Sequence, residues 1–424
     1  MSDDERNERL QLNDEPQLDD DPQLNQKVER TVITTVDDFH DAVEAIARGE
    51  GPVAVDAERA SGFRYSQRAY LIQVYRRGSG VFLFDPPAIG EFAPLQSVIG
   101  DVEWVLHAAS QDLACLREVG LDPTTVFDTE LAARLLGLPR VGLGTVVEEL
   151  LGIHLAKEHS AADWSTRPLP ASWLEYAALD VELLIDLRDS MAELLREQGK
   201  VEIAAEEFAA VVAREEKAPL AEPWRRLTGV SALRADRHLA AARELWLARD
   251  ELARSTDIAP GRLVPDASLM VAARALPSSR RELASLKQFS GRASRSEIDR
   301  WWAAIERALS TDDIPVHRRP TDTLPPPRSW SDRNPEADAR LKAARAALTA
   351  VSDEHRIPLE NLLTPDFLRR VAWNAPDPVT TESVAAALGE LGARRWQIDL
   401  TAQPIAQAFV DSHQSAESDP EIES

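Results

Sequence analysis

The 424-residue sequence contains very little cysteine and few aromatic residues. Cys115 is the single cysteine, so no intrachain disulfide can form. Aromatic residues make up 6% of the sequence, whereas apolar residues make up 44%, enough to build buried cores. No apolar run approaches the ~20 residues that a membrane-spanning helix requires, and the first residues are too polar and acidic for a secretory signal. These absences predict a cytoplasmic protein that has no membrane partner.

Negative charge dominates the sequence, but it is unevenly distributed along the chain. The formal net charge is −24. Residues 1–26 carry nine acidic residues and two arginines, and residues 411–424 carry five acidic residues with no lysine or arginine. The segments 1–29 and 411–424 are therefore predicted to be disordered tails. Residues 222–310 carry sixteen basic and eleven acidic residues, a balance compatible with phosphate binding.

Hydrophobic patterning predicts a mixed α/β domain over residues 30–217. Short apolar runs are typical of buried strands, and a Gly- and Ser-containing segment at 76–80 joins two of them as a hairpin. A long helix is predicted from Pro170 to about Gln198. Strands that alternate with helices after the hairpin indicate a mixed sheet with helices packed on it. The predicted strands are 53–55, 69–75, 81–84 and 104–109.

The second half of the chain is predicted to be entirely helical. It divides into blocks at 222–310 and 336–410, separated by a proline-rich linker at 312–335. The segments Ile258–Leu269 and Ile357–Leu368 resemble each other, and each follows a long alanine- and arginine-rich helix. The two blocks are therefore either copies of a divergent repeat, or they resemble each other by chance because both contain alanine-rich helices.

Four acidic residues and one tyrosine occupy positions from which their side chains could converge. Asp56 and Glu58 follow a buried strand and, being two residues apart, point to the same face. Asp112 begins a helix just after another buried strand, where α/β folds bind ligands. Tyr176 and Asp180 are four residues apart on a helix and share a face.

Each of these features alone also fits a solvated side chain at a strand end, at a helix start or on an amphipathic helix. Together they favour a metal site. Neighbouring carboxylates repel one another unless a cation lies between them, and hard divalent cations prefer carboxylate oxygens.

The order of these five residues resembles the DEDD exonuclease superfamily in its tyrosine-bearing branch, and the flanking segments resemble the ribonuclease D family over about residues 30–215. The matching segments are Asp56-Ala57-Glu58 with Tyr70-Leu71-Ile72-Gln73, His107-Ala108-Ala109-Ser110-Gln111-Asp112-Leu113, Phe127-Asp128-Thr129, Asp163-Trp164-Ser165-Thr166-Arg167-Pro168-Leu169 and Tyr176-Ala177-Ala178-Leu179-Asp180. An arginine often precedes the Asp-Trp pair in this family. Ala161 or Ala162 holds that place here, although Lys157 or Arg167 could substitute.

The helical blocks add to this resemblance. Residues 222–310, with Pro223-Trp224-Arg225-Arg226-Leu227 near their start, resemble an HRDC domain (helicase and RNase D C-terminal), and residues 336–410 are similar to a second, diverged one. The resemblance implies an α/β RNase H-like exonuclease domain with a mixed sheet flanked by helices, followed by all-α HRDC-type domains.

The resemblance also implies an activity and its cofactors. It implies a 3′–5′ exoribonuclease that releases 5′-nucleoside monophosphates from RNA with a free 3′ end, in the maturation of tRNA or other structured RNA. Two divalent ions, Mg²⁺ or Mn²⁺, would be the only cofactors. Asp56 would bridge both ions, Glu58 and Asp180 would hold the ion that carries the attacking water, and Asp112 would support the other. Tyr176 would orient the water.

Residues expected to contact nucleic acid are the motif positions and the basic residues of the first helical block. The basic residues either make salt-sensitive phosphate contacts or lie on solvated helix faces. Trp301 and Trp302 could stack on bases, but packing in a helical core is the favoured interpretation. The candidate contacts are Gln73, His107, Lys157, Trp164, Arg167, Arg225, Arg226, Arg280, Arg281 and Lys287.

Two other functions compete with this hypothesis. A 3′–5′ exodeoxyribonuclease of repair or proofreading is the nearest, because sugar choice depends on contacts with the 2′-hydroxyl that the sequence does not reveal. A non-catalytic RNA-binding protein with an inactive nuclease fold is the second, and the presence of all five motif residues disfavours it. A phosphatase or an NTP-using enzyme finds no support, since neither a Gly-Lys-Ser/Thr phosphate loop nor a His-Glu-x-x-His site occurs.

Overall fold

The computed structural model describes residues 30–155, 162–215, 220–317 and 324–417, with side chains as far as residue 414. The predicted tail at 1–29, the last seven residues of the predicted tail at 411–424, and Lys157 lie outside the described residues. The described chain contains a six-stranded sheet. Its strands are β1 (Val32–Ile33), β2 (Glu50–Arg59), β3 (Ala69–Arg77), β4 (Gly80–Phe84), β5 (Glu103–Leu106) and β6 (Thr125–Asp128).

The sheet is mixed, as predicted, with the strand order β1-β4-β3-β2-β5-β6. The central strand β2 pairs antiparallel with β3 and parallel with β5. At the two edges of the sheet, β1 pairs parallel with β4 and β6 pairs parallel with β5. Val53, Ala54 and Val55 of β2 are completely buried because both faces of the sheet are covered. The β3–β4 hairpin turns at Gly78 and Gly80, which both have the positive φ that glycine tolerates.

Helices cover both faces of this sheet. On one face α1 and α3 enclose a core that includes Phe39, Phe84 and Phe92. Among the described residues, no helix combines the length and the apolar character needed to cross a membrane. The helices of this domain are α1 (Val36–Ala47), α2 (Pro86–Ile89), α3 (Ala93–Ile99), α4 (Leu113–Glu118), α5 (Thr129–Leu136), α6 (Leu143–Leu151), α7 (Ala171–Glu182), α8 (Leu184–Glu197) and α9 (Val201–Val212).

The single long helix predicted from Pro170 to Gln198 is wrong, because α7 and α8 meet at a break at Leu183. The two helices follow different surfaces. The first, α7, contacts β2, β3 and β4, and its Ala177 and Ala178 are completely buried there. The second, α8, packs mainly on α5 and α6. The break therefore lets one segment serve both the sheet and the neighbouring helices.

The second domain is helical, as predicted, and consists of six α-helices in the described residues. Trp301 is completely buried in its core, and its indole N–H donates to the Ala293 carbonyl at 3.0 Å. The packing interpretation of Trp301 is therefore correct. The helices are α10 (Asp236–Thr256), α11 (Pro260–Leu263), α12 (Asp266–Ala275), α13 (Arg280–Ser285), α14 (Arg292–Ser296) and α15 (Ile298–Ser310).

The third domain is also helical and shares a hydrophobic core with the sheet domain. Arg394 and Trp396 both donate hydrogen bonds to Glu207 of α9, the tryptophan at 2.8 Å. Its last helix continues to residue 417, so the segment 411–417 that we predicted as a disordered tail is helical. The helices are α16 (Trp330–Arg333), α17 (Pro335–His355), α18 (Leu359–Leu362), α19 (Pro365–Trp373), α20 (Thr381–Glu390) and α21 (Arg395–Glu417).

The two helical domains share one local pattern. In each, a 21-residue helix, α10 or α17, ends in a left-handed residue, Asp257 (φ 48°) or Arg356 (φ 52°). A four-residue helix, α11 or α18, and then a longer helix follow. This parallel favours a divergent repeat over a chance similarity. The interpretation of the third domain as a second HRDC-like domain stays a prediction.

Candidate active site

Three of the predicted carboxylates converge at the end of β2. Oxygen atoms of Asp56, Glu58 and Asp180 all lie within 4.8 Å of one another. The first two share a face of β2 because side chains alternate along a strand. Helix α7 brings Asp180 to that face, because the small side chains of Ala177 and Ala178 let the helix lie close to the sheet. Strand and helix periodicity therefore assemble this cluster as predicted.

Asp112 lines the same cavity as these three carboxylates, and the cavity has a volume of about 270 Å³. It follows a 3₁₀ turn after β5 and is 6% exposed. A guanidinium nitrogen of Arg59 lies 3.6 Å from its carboxylate. The sequence analysis missed Arg59, although its place directly after the Asp-x-Glu pair was a signal that could have identified it.

Tyr176 completes the predicted set of five. It lines the cavity one helical turn before Asp180, and its hydroxyl donates a hydrogen bond to that carboxylate. Burial, followed by the charges of Asp180 and Glu58, raises the pKa of Tyr176 above its ordinary value. The phenol therefore stays neutral at physiological pH and acts as a hydrogen-bond donor rather than as a base.

The four carboxylates of the cavity lie close together where water has little access. Burial, reinforced by the neighbouring carboxylates, raises the pKa of Glu58 to about 10 and that of Asp180 to about 8. Burial likewise raises the pKa of Asp56 and Asp112. A bound divalent cation reverses this preference, because it stabilises the ionised form of each carboxylate. A set of donors made only of carboxylate oxygens fits a hard cation such as Mg²⁺ or Mn²⁺.

The turn that leads to Asp112 is held from the neighbouring strand. Ala108 adopts a left-handed conformation, with φ 61°, that is unusual for a residue other than glycine. The Asp128 carboxylate at the end of β6 accepts the backbone N–H groups of Ala108 at 3.0 Å and Ala109 at 2.9 Å. It also accepts those of Glu130 and Leu131, which caps α5. Sequence analysis recognised Phe127-Asp128-Thr129 as a family segment but missed this function.

His107 lines the cavity just before that turn. Its Nδ1 lies 2.9 Å from the Thr129 hydroxyl, which donates its own proton to the Leu106 carbonyl at 3.2 Å. The hydroxyl must then accept from Nδ1–H, so Nε2 carries a lone pair. Burial lowers the pKa of His107 to about 4, which keeps the ring neutral. Among the described residues, Nε2 has no hydrogen-bond partner.

Three predicted nucleic-acid contacts are wrong. Gln73 and Trp164 are completely buried, so neither side chain reaches a ligand in solvent. Arg167 donates to the Asp85 carboxylate at 2.6 Å and to the carbonyl oxygens of Tyr70, Trp164 and Thr166. With its guanidinium committed to these bonds, Arg167 fixes the loop before α7 instead of binding phosphate.

The five basic candidates of the second domain differ in their surroundings. Arg225 pairs with Glu222 and lies over the Trp224 ring, and Arg280 pairs with Asp299. The other three are exposed and have no ion pair among the described residues. Arg292 and Arg295, which the sequence analysis did not single out, share this property. The exposed, unpaired basic side chains at 280–296 are therefore Arg281, Lys287, Arg292 and Arg295, called the basic patch below.

The second domain docks on the loop that follows β2. Asp257 accepts the Ser66 backbone N–H at 2.9 Å and the Tyr70 hydroxyl at 3.1 Å. The guanidinium of Arg262 lies 3.9 Å above the Phe63 ring. This loop directly continues the strand that carries Asp56 and Glu58, so the contacts tie the basic domain to the carboxylate cluster.

Comparison with known proteins identifies the family. Residues 31–196 match the family "3'-5' exonuclease", residues 238–305 match "HRDC domain", and residues 323–409 match "3' to 5' exonuclease C-terminal domain". Ribonuclease D of Escherichia coli K12 is 32% identical over 371 residues, which cover 85% of this chain and 96% of the relative. The chain belongs to the ribonuclease D family. The predicted 3′–5′ exonuclease domain followed by an HRDC domain is therefore confirmed.

Solved structures agree with this membership of the ribonuclease D family. A protein from Bifidobacterium adolescentis superposes with a TM-score of 0.82 at 38% identity, over 90% of this chain and 97% of that one. Escherichia coli RNase D superposes at 0.65 with 28% identity, over 85% and 98%. The catalytic core of RRP6 from Trypanosoma brucei superposes at 0.59 with 25% identity, over 66% and 79%. The similarity to RNase D extends through both helical domains.

Proposed function

We propose that this protein shortens RNA from its 3′ end, one nucleotide at a time, and releases 5′-nucleoside monophosphates. The convergence of Asp56, Glu58 and Asp180 within 4.8 Å, in a cavity shared with Asp112 and Tyr176, carries this proposal. Escherichia coli RNase D, similar along most of this chain, is described as an exoribonuclease involved in structured RNA processing. Structured RNAs, precursor tRNA among them, are the substrates we propose, in the cytoplasm.

The carboxylates would hold two divalent cations, Mg²⁺ or Mn²⁺, with Asp56 shared between the two sites. Glu58 and Asp180 serve the first site, and Asp112 serves the second. Two such ions activate water and stabilise the charge that develops on a phosphodiester during hydrolysis. No other small-molecule cofactor is needed, because the reaction is a hydrolysis.

Two neutral side chains would position the reactants. The Tyr176 hydroxyl, fixed by its hydrogen bond to Asp180, orients the attacking water. The side chain of His107 lines the cavity, and its unprotonated Nε2 accepts a hydrogen bond from a ribose hydroxyl of the terminal nucleotide. The basic patch holds the RNA upstream of the cut through phosphate contacts, as do Arg226 and, more weakly, the paired Arg225.

The test uses RNA and DNA oligonucleotides of one sequence, each labelled at its 5′ end. We expect a ladder of labelled fragments that shorten from the 3′ end on RNA with Mg²⁺, and no ladder in EDTA. Asp56→Asn should abolish the ladder while RNA binding and the thermal midpoint stay close to those of the wild type. Arg48→Gln, on an exposed surface remote from the cavity, is the control and should cleave normally.

Other outcomes would overturn the proposal in different ways. A ladder on DNA alone would make the protein an exodeoxyribonuclease. Binding without cleavage of either substrate would make it a non-catalytic RNA-binding protein. Normal turnover by Asp56→Asn would place the catalytic centre elsewhere.

A further inference from the structure

Arg59 is the charged residue of the cavity to which the proposed function gives no role. It is the last residue of β2, next to a break in the pairing with β3 between Glu58 and Arg59. Its side chain lines the cavity and is about one quarter exposed, so it reaches both the carboxylates and solvent. Such a position at the mouth of a cavity suits contact with a ligand.

The ion pair with Asp112 is the single polar contact of Arg59 among the described side chains, at 3.6 Å. Arg59 lines the same cavity as Asp56, Glu58 and Asp180. Its positive charge thus acts on the same carboxylates that would hold the metal ions. Without ions it is the cation that partly neutralises the cluster.

Binding of two divalent ions changes this balance. The four carboxylates are then fully neutralised, and Asp112 gains a stronger cationic partner than a guanidinium at 3.6 Å. Arg59 is left with an unshared positive charge at the mouth of the cavity. A phosphodiester carries one negative charge and offers two oxygens that match the paired N–H groups of arginine.

We propose that Arg59 is a catalytic residue that pairs with Asp112 in the metal-free protein and contacts the scissile phosphate of the RNA when the carboxylates hold their ions. This proposal rests on the proposed function. Arg59 is then a competitor of the metal in the absence of substrate and a partner of the metal during hydrolysis. A merely structural arginine would not combine these two opposite effects.

The experiment measures metal binding and hydrolysis on the full-length chain with Arg59→Gln and Arg59→Lys. In the absence of RNA, titration calorimetry with Mn²⁺ should show three- to tenfold tighter binding by Arg59→Gln, since a competing positive charge is gone. At saturating Mg²⁺, the same variant should lose about 100-fold in kcat/KM on RNA, mostly in kcat, because the contact strengthens as charge develops on the phosphate. Arg59→Lys should bind Mn²⁺ like the wild type and recover part of the activity.

Arg48→Gln removes the same charge from an exposed helix end and should change neither quantity. Parallel losses of metal affinity and activity in Arg59→Gln would overturn the proposal, as they would mean that Arg59 only supports the position of Asp112. Unchanged metal affinity together with less than a twofold change in kcat/KM would also overturn it. Failure of the proposed function is distinguishable, because the wild type itself would then not hydrolyse RNA.

Discussion

At the scale of residues, the cavity concentrates more negative charge than its surroundings stabilise. Asp56 and Glu58 share a strand face, and α7 adds Asp180 to them. Burial is the main cause of their raised pKa values, and mutual repulsion adds to it for Glu58 and Asp180. The metal-free protein therefore stores an unfavourable interaction at this place, and cation binding relieves it.

This unfavourable interaction predicts how pH affects the stability of the metal-free protein. The folded-state pKa of Glu58, about 10, lies above the ordinary value near 4.5. The contribution of the Glu58 carboxyl group to the free energy of unfolding is therefore complete below pH ~4.5 and is lost progressively as pH rises towards 10. Glu58→Gln removes this loss, so in EDTA at pH 8.5 the variant should be more stable than the wild type by about 1–2 kcal/mol.

Urea denaturation at pH 5 and pH 8.5 measures this difference. The advantage of Glu58→Gln should nearly vanish at pH 5. It should reverse in excess Mg²⁺, because the variant lacks a ligand and gains less from binding. If Glu58→Gln were less stable than the wild type in EDTA at both pH values, the inference that the buried carboxylates destabilise the metal-free protein would be wrong.

Tyr176 gives a second prediction at this scale. Tyr176→Phe removes the hydroxyl that bonds Asp180 but leaves the ring and the carboxylates in place. We expect kcat to fall about 10- to 100-fold, with Mn²⁺ affinity unchanged, whereas Asp56→Asn abolishes turnover. Single-turnover kinetics on labelled RNA measure both losses. Equal losses would show that Tyr176 does more than orient water.

Individual residues also show what sequence reasoning can and cannot predict. The convergence of the five motif residues follows from the two-residue period of a strand and the four-residue spacing of a helix. The burial of Gln73 and Trp164 follows instead from how α7 and its preceding loop cover the sheet, which no local pattern records. Arg59 and Arg167 both lie near motifs. The place of Arg59 directly after the Asp-x-Glu pair was a usable sequence signal, whereas the structural role of Arg167 follows only from its tertiary contacts.

At the scale of elements, the turn between β5 and α4 depends on an adjacent strand. The Asp128 carboxylate accepts four backbone N–H groups, two from the turn and two from α5. These bonds hold Ala108 in its left-handed conformation and so fix the segment between His107 and Asp112. The break at Leu183 similarly went unpredicted, because the helical pattern continues through it and only packing divides it.

We expect Asp128→Ala to reduce both stability and activity. Loss of the carboxylate leaves several buried N–H groups without an acceptor, which should lower the free energy of unfolding by about 2–4 kcal/mol. Because Asp112 and His107 lose their support, kcat/KM should fall at least tenfold even well below the unfolding temperature. Denaturation and hydrolysis assays measure the two effects, with Asp101→Ala, on the exposed loop before β5, as the control.

Activity equal to that of the wild type in a destabilised Asp128→Ala protein would show that the turn keeps its shape without the carboxylate. The role of Asp128 would then be restricted to capping α5.

At the scale of the whole molecule, the two helical domains attach to the nuclease domain in different ways. The third domain shares a hydrophobic core with it, and Glu207 receives bonds from Arg394 and Trp396. The second domain is attached through the loop after β2, mainly by polar contacts at Asp257 and stacking at Phe63. The short helix α11, which docks on that loop, also contacts α14 of the basic patch.

The basic patch should determine affinity for long RNA. Replacing Lys287 and Arg292 with glutamate removes phosphate contacts, so the dissociation constant should rise about tenfold and the slope of log affinity against log salt should decrease by about 1–2. Hydrolysis of a dinucleotide should stay unchanged, because its single phosphodiester is the one that the carboxylate cavity must hold. Arg280→Glu is the matched control in the same segment, since Arg280 is already paired with Asp299. If Arg280→Glu weakened RNA binding equally, the overall electrostatic field of the second domain, and not local phosphate contacts of the basic patch, would determine the affinity.

The proposed role of the carboxylate cluster is to hold metal ions that act on the scissile phosphate of RNA. Sulfur substitution of one non-bridging oxygen at the last linkage tests it most directly, because Mg²⁺ binds sulfur poorly whereas Mn²⁺ and Cd²⁺ accept it. We expect one phosphorothioate diastereomer to be cleaved at least 100-fold more slowly than normal RNA in Mg²⁺, and Mn²⁺ or Cd²⁺ to restore most of that rate. An equal slowing with all three ions, for both diastereomers, would contradict direct contact between the metal and the phosphate.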